Sequence, residues 1–305
     1  MKVFGLCCVR DGADIIGVVS AYHLAIGFDR LIIVDDGSSD GTSEILDRLA
    51  RKTGRIDVTR NESAAYDQGS LTSAAAARAI SQGADYILPF DADEFFVFKR
   101  GLRRTLAPYA PDIVRVSVTN FVQSRSVQRG SALSLLRACY RPWVRGGEAS
   151  IEVQEGRYAF IEAPLVSKVI APALPGLEFD MGNHQAKGIA ARERRVLDIE
   201  ILHLPLRAKA ILTQRTEDYE PRIARMRETE SFGWQSLYFK RCRERGTLER
   251  EWRANSQRHG ALDVDGRSVP LIPDNRLRAC VLKALPILVA ARLAPDRAKP
   301  AWLKA

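Results

Sequence analysis

The chain of 305 residues has little from which to build a covalent or metal-stapled scaffold. Its five cysteines, at 7, 8, 139, 242 and 280, are odd in number, show no Cys-x-x-Cys spacing and have no histidine near them at ligand spacing. That excludes a disulfide framework, argues against a zinc site and fits a reducing compartment. There is no hydrophobic run long enough to cross a bilayer, because Leu277 to Leu293 is interrupted by Arg278, Lys283 and Pro286. The apolar N-terminal stretch is broken by Arg10, Asp11 and Asp14, so no secretory signal is readable and a cytoplasmic location is expected. Internal repeats, low-complexity tracts and long linkers are also missing.

What is present is ordinary for a soluble globular chain: 46% hydrophobic and 27% charged residues, which excludes fibres and disorder. The length suits one large or two intimately joined domains. The net charge of +9 hides a gradient. Residues 1–100 carry 11 basic and 15 acidic groups, whereas residues 187–305 carry 25 and 15. An acidic front with a basic tail suits a metal and phosphate site facing an anionic partner or the inner face of a membrane. Solvated helical faces account better for most of the tail, and the segment 277–293 reads as a helix packed back on the domain rather than as an amphipathic surface helix.

In the first hundred residues strand and helix alternate. Lys2 to Val9, Leu31 to Val34, Ile56 to Thr59 and Tyr86 to Phe90 are short apolar runs of the kind buried in parallel strands. Between them, helical patterns begin at Asp14, Thr42 and Leu71 and stop at Gly27, Gly54 and Gly83. Such alternation predicts an α/β fold, a mostly parallel twisted sheet with helices on both faces, whose ligands bind beyond the carboxyl ends of the strands. Ile113 to Phe121 reads as a further strand, and Val144 to Val169 as additional β structure beside the sheet. From Leu206 to Trp252 the chain is charged and helix-prone, with Trp234, Leu237, Tyr238, Phe239 and Trp252 as buried positions. The expected division is therefore a catalytic domain over 1–205 and a basic helical extension over 206–305.

Two acidic clusters fall on predicted strand ends. Tyr86-Ile87-Leu88-Pro89-Phe90 delivers Asp91-Ala92-Asp93-Glu94, and Leu31-Ile32-Ile33-Val34 delivers Asp35-Asp36-Gly37-Ser38-Ser39-Asp40-Gly41-Thr42. Three carboxylates in four residues are costly unless a cation neutralises them, and oxygen ligands of this type suit Mg²⁺ or Mn²⁺. A helix cap would need only one of the three. Asp40, with Ser43 and Glu44 near, reads as part of a helix start, leaving Asp35 and Asp36 to accept from a base N–H or a ribose hydroxyl.

Together these two motifs resemble family 2 glycosyltransferases of the A-type fold. Val9-Arg10-Asp11, Tyr22-His23-Leu24-Ala25-Ile26-Gly27-Phe28 and Ile201-Leu202-His203-Leu204-Pro205-Leu206-Arg207 narrow the resemblance to a bacterial branch of that superfamily. It covers roughly residues 1 to 215. Gly12 departs from it, since that branch commonly has Glu there, and the role of that acid would pass to Asp11 or Asp14 or be absent. The resemblance implies transfer of a sugar from a nucleotide-diphosphate donor to a glycan or glycolipid in envelope or extracellular polysaccharide synthesis. It also implies that Asp36 meets the base, that Arg10 and Asp35 belong to the donor site, that Asp91 lies near ribose and metal, that Asp93 binds the metal, and that His203 completes its protein ligands.

His184, in Gly182-Asn183-His184, is the rival ligand or an acceptor-side group, while His23 and His259 read as structural. Lys168 and Arg207, beside predicted strand ends, are candidates to assist at the diphosphate, or else ordinary surface charges. An inverting displacement needs a general base; Glu162 and Asp180 are the candidates, with Glu148 behind them. Two other functions compete. A nucleotidyltransferase would open with a Gly-rich phosphate loop, for which Arg10-Asp11-Gly12 is a poor substitute. A non-catalytic module docking its basic tail on anions has no nucleic-acid reading motif behind it, though membrane contact stays compatible with the transferase.

Overall fold

The computed structural model describes residues 1–61, 67–217 and 234–293. Part of the helix-prone stretch, 218–233, and the end of the basic extension, 294–305, lie outside them. The alternation of the first hundred residues is found as β1 (Val3–Val9), α1 (Ile16–Ala25), β2 (Arg30–Asp35), α2 (Thr42–Thr53), β3 (Ile56–Arg60), α3 (Gln68–Ser81) and β4 (Tyr86–Pro89). After it come β5 (Glu94–Phe98), α4 (Leu102–Leu106), β6 (Ile113–Asn120), β7 (Tyr140–Arg141), α5 (Ala149–Gln154), β8 (Lys168–Pro172), β9 (Glu178–Phe179), β10 (Ala186–Lys187) and β11 (Glu193–His203). The rest is α6 (Lys209–Glu217), α7 (Trp234–Glu244), α8 (Leu248–Ala254), the hairpin β12 (Ala261–Val264) and β13 (Arg267–Pro270), β14 (Ile272–Pro273) and α9 (Arg276–Leu293).

Eight strands form one sheet in the order β3-β2-β1-β4-β8-β6-β11-β5. The pairs β3–β2, β2–β1, β1–β4 and β6–β11 are parallel; β4–β8, β8–β6 and β11–β5 are antiparallel. Six strands consequently run one way and only β5 and β8 run back. Continuous apolar runs are needed because both faces are covered. In β1, Val3, Cys7 and Val9 face a core shared with α1 and α2, while Phe4 and Leu6 face one shared with Ala75, Ala76 and Ala79 of α3. Leu31 and Ile33 repeat the first pattern, Ile32 and Val34 the second. Each such aliphatic side chain contributes about 1.5–3 kcal/mol by leaving water. The packing leaves no slack at Gly5, where a Cβ would lie 2.7 Å from Leu31 and 2.8 Å from Phe90.

Two expectations change. The segment from Val144 is not β until Lys168: it forms α5 and a short 3-10 turn over Phe160–Glu162. Its apolar residues Val153, Tyr158 and Phe160 pack with Leu206, Leu212, Phe239 and Trp252, so a core cluster crosses residue 205. Likewise, the region beyond 205 contains a hairpin besides helices. Trp252 is buried as expected, but Leu237 is exposed because the inner face of α7 is set by Phe239 and Cys242.

Helix α9 settles onto α1 and α2, adding Leu277, Cys280, Val281, Ala284 and Ala291 to the front core. This explains why α1 is buried almost all round, from Ile16 to Leu24. Among the described residues no helix is long and apolar enough to cross a membrane.

Candidate active site

The direction of the six like-running strands decides where the polar residues meet. Arg10 follows β1, Asp36 follows β2, Asp91 and Asp93 follow β4, and Asn120 and His203 end β6 and β11. Lys168 and Glu94 begin the two strands that run back, so they lie at this same edge. This is the edge at which open α/β sheets bind ligands.

Asp91-Ala92-Asp93-Glu94 is a closed turn. Glu94 N–H donates to the Asp91 carbonyl at 3.0 Å, and Asp91 N–H donates to Glu94 Oε2 at 2.9 Å. The buried Lys168 ammonium then bridges Asp91 Oδ2 at 2.6 Å and Glu94 Oε2 at 2.9 Å. Burial works against that charge, yet the two carboxylates hold the lysine above its ordinary range. Gln68, at the start of α3, donates to the other oxygen of Asp91 at 3.2 Å.

Asp93 turns the opposite way. Its Oδ1 stands 3.5 Å from His203 Nε2, and its Oδ2 meets Arg215 at 3.0 Å and Arg207 at 3.5 Å. Burial alone would raise this carboxyl; His203, Arg215 and Arg207 outweigh it and hold Asp93 well below the usual carboxylate range. Arg207 is in turn gripped at both ends of its fork by Asp14, at 2.8 and 2.9 Å. Asp14 also lines a neighbouring cleft of about 410 Å³ with Asp40, Ser131 and Ile211.

At the other cluster the acids have local partners. Asp35 accepts from Ser38 N–H at 3.0 Å and from the Ser43 hydroxyl. Asp40 accepts from Thr42 N–H at 3.1 Å and from Ala13 N–H at 2.9 Å, stitching the loop after β1 to the start of α2. Asp11, at φ 49°, accepts from Ser39 N–H at 2.7 Å. Buried Asp36 takes a hydrogen bond from Asn61 at 2.6 Å and has Arg10 at 3.7 Å.

Of the four expected metal ligands, Asp93 and His203 come together. Asp91 is turned toward Lys168, and His184 donates from Nδ1 to the Ser167 carbonyl at 3.1 Å. Among the described residues no group of three or more His, Cys, Asp and Glu is disposed to hold a metal ion. One carboxylate oxygen and one imidazole nitrogen do converge, and a hard divalent cation commonly takes one or two protein ligands and completes its shell with water and phosphate oxygens. The donor set therefore fits such an ion through Asp93 and His203.

The candidate bases lie apart. Glu162 is buried in the 3-10 turn, held by Arg145 Nε at 3.0 Å and Ala159 N–H at 3.0 Å. Asp180 is half-buried and accepts from Gln185 N–H at 2.8 Å, in a turn that touches Gly69 beside Gln68. Glu148 caps nothing with its side chain and takes a bond from Ser150. His23 is a core residue: Nδ1 donates to the Val19 carbonyl, Nε2 accepts from Phe96 N–H, and burial pushes its pKa down to about 3. The residues missed by sequence reasoning are Asn120, Arg215, Gln68 and Asn61. A strand end marks Asn120, but nothing local marks Arg215 within a charged helix.

Residues 18–137, less than half of the chain, match the family model described as Glycosyl transferase family 2. The match runs from α1 past β6 and takes in Asp36, Asp91, Asp93 and Asn120; Lys168, His203 and Arg207 lie beyond it. The chain thus carries a segment that matches family 2 glycosyltransferases, and its fold is the A-type α/β fold. No curated protein matches the chain. Among solved structures it is similar to S. aureus TarS 1-349, with 12% identity and TM-score 0.42, 72% of this chain being covered. The chain spans 65% of that protein's chain. It is also similar to the mannosyltransferase PcManGT from Pyrobaculum calidifontis, solved with GDP-Man and Mn2+, at 13% identity and TM-score 0.39 over 99% of this chain and 78% of the other. Glucosyl-3-phosphoglycerate synthase from Mycobacterium tuberculosis, solved with phosphoglyceric acid, follows at 14% identity and TM-score 0.33, over 88% and 89%.

Proposed function

We propose that the chain is a metal-dependent, inverting glycosyltransferase that moves a sugar from a nucleotide-diphosphate donor to a glycan or glycolipid acceptor in envelope or extracellular polysaccharide synthesis. The observation that carries this is the meeting, at one sheet edge, of buried Asp36 with the Asp93–His203 pair and the buried cations Lys168 and Arg207. Asp36 and Asn61 offer an acceptor and a donor for a base edge, with Arg10 over them. Asp93 and His203 would hold the divalent cation. When bound, that cation neutralises charge developing on the departing diphosphate.

Arg207 and Arg215 add cationic donors on the same side, the first held in orientation by Asp14. Lys168 fixes the Asp91–Glu94 turn and so the direction of Asp93. Asp180 suits acceptor activation better than Glu162, because it is half-exposed on the α3 side of the site whereas Glu162 is buried against Arg145. A peripheral membrane contact would use the outer side of α9, where Leu282 and Val289 are exposed near Arg278 and Lys283.

Thermal stability against a panel of nucleoside diphosphates and their sugars tests the reading, with Mn²⁺ or Mg²⁺ and then with chelator. A ligand of the native state raises the melting temperature with concentration over affinity. One nucleotide should stabilise the wild type only with metal and should leave Asp93→Ala unmoved. A panel without any such nucleotide would remove the transferase reading.

A further inference from the structure

We propose that Asn120 is a positioning residue for His203, and that a relay of buried amides reaching back to Asn255 fixes which nitrogen of that histidine carries the proton. The purpose given to the histidine rests on the transferase reading; the relay itself does not. Asn120 ends β6 and is the direct cross-strand partner of His203 at the end of β11. Its Nδ2 lies 3.0 Å from the Ile161 carbonyl, and its Oδ1 lies 2.9 Å from His203 Nδ1.

A backbone carbonyl can only accept, so the NH₂ of Asn120 must face Ile161 and its oxygen must face the imidazole. An amide oxygen also can only accept. His203 Nδ1 therefore carries the hydrogen, and in the neutral ring the lone pair is on Nε2, the atom that faces Asp93 Oδ1 at 3.5 Å. The reverse tautomer would set two lone pairs against each other at Nδ1 and Oδ1, 2.9 Å apart and so closer than the 3.5 Å between Nε2 and Asp93 Oδ1, and would cost a buried hydrogen bond.

Ile161 is itself clamped through its backbone. Its N–H donates to Asn255 Oδ1 at 2.8 Å, and Asn255 Nδ2 donates to the Glu251 carbonyl at 2.9 Å. Both asparagines are buried, Asn120 at 4% and Asn255 at 0% exposure. Two asparagines thus hold one residue, Ile161, by its N–H and by its carbonyl, and the C-terminal region reaches the site through them. The turn over Phe160–Glu162, which carries the candidate base Glu162, supplies the carbonyl that orients the relay. Histidines that bind metal characteristically donate their second ring nitrogen to a fixed acceptor, which sets the tautomer and the ring plane.

The chain has four histidines, so ¹⁵N-histidine labelling gives a simple spectrum, and His203→Gln assigns the resonance of interest. In long-range ¹H–¹⁵N spectra of the ligand-free protein the neutral His203 ring should be the Nδ1–H tautomer. Asn120→Leu should lose that preference, whereas Asn120→Asp, which keeps an acceptor at Nδ1, should retain it. Asn120→Ser, too short to bridge both partners, gives the same readout if the leucine variant does not fold. Calorimetry of Mn²⁺ with the stabilising nucleotide should show affinity weakened about 10–100-fold in Asn120→Leu and less in Asn120→Asp.

An Nε2–H tautomer in the wild type, or an unchanged tautomer in Asn120→Leu and Asn120→Ser, overturns the relay. Loss of the tautomer together with no metal-dependent nucleotide binding by the wild type upholds the relay and removes the transferase reading instead.

Discussion

Asp35, Asp40 and Asp11 sit at one part of the strand-end edge and Asp91, Asp93 and Glu94 at another, and their partners differ in kind. The first three accept from backbone N–H groups and hydroxyls, most within eight residues or in the adjoining loop. The second three are held by side-chain cations brought from 74 to 122 residues away. Acids satisfied by local donors shape a turn and have nothing left to offer. Acids satisfied by long side chains can exchange those partners for a bound ion or phosphate at modest cost, since the cations also gain a partner in the ligand. Asp36 falls between the two groups: it is buried like Asp35, but its partners Asn61 and Arg10 are side chains.

Lys168→Met separates the two kinds of acid most strongly. It leaves Asp91 and buried Glu94 without their shared cation and should cost about 3–5 kcal/mol in denaturant unfolding. Burial raises the Glu94 carboxyl, so its protonated form favours the fold. The variant's deficit should be greatest at high pH and shrink as pH falls through that raised value. A deficit independent of pH would show that Glu94 is not the group left exposed to the loss.

Asp93→Asn comes next. On the proposed function, transferase activity and metal-dependent nucleotide binding should drop by at least about 100-fold. The folded Asp93 carboxyl lies far below its unfolded value, so it stabilises the fold above the unfolded value and stops doing so as pH falls through the folded one. The acid limb of the wild-type stability profile should therefore be steeper than that of Asp93→Asn.

Asp35→Ala should cost about 1–2 kcal/mol by freeing Ser38 N–H and the Ser43 hydroxyl, with the metal dependence of nucleotide binding intact. If metal dependence vanished with it, the distinction between architectural and exchangeable acids would fail. Arg78→Ala, which breaks an exposed pair with Asp57 far from both clusters, should change stability by only about 0.2–1 kcal/mol, less in high salt.

Much of this was readable along the chain. A parallel strand covered on both faces has to be apolar at every position, so β1, β2 and β4 announced themselves, and an acid following such a run had to lie at a strand end. Gly54 stops α2 in the left-handed conformation, as its place after a helical pattern predicts. The stretch 144–167 was misread because its short apolar runs pack into a helical cluster with Phe239 and Trp252, partners distant in sequence. Arg215 and Asn120 escaped notice for a related reason: one is a charge among charges, the other an amide whose importance is its neighbour.

Local pattern by itself determined the strand–helix order, the two acidic strand ends and the cover on both faces of the sheet, because burial and turn chemistry act on adjacent residues. Only the tertiary structure decided that β8 runs back between β4 and β6, carrying Lys168 to Asp91 and Glu94. It also decided that Asp93 faces His203, Arg207 and Arg215, and that Asn120 and Asn255 clamp the backbone of Ile161 between them. Those contacts join residues 41 to 122 positions apart. Charge pairing and amide orientation act over a few ångströms in space, and no periodicity along the chain encodes which distant side chains will come that close.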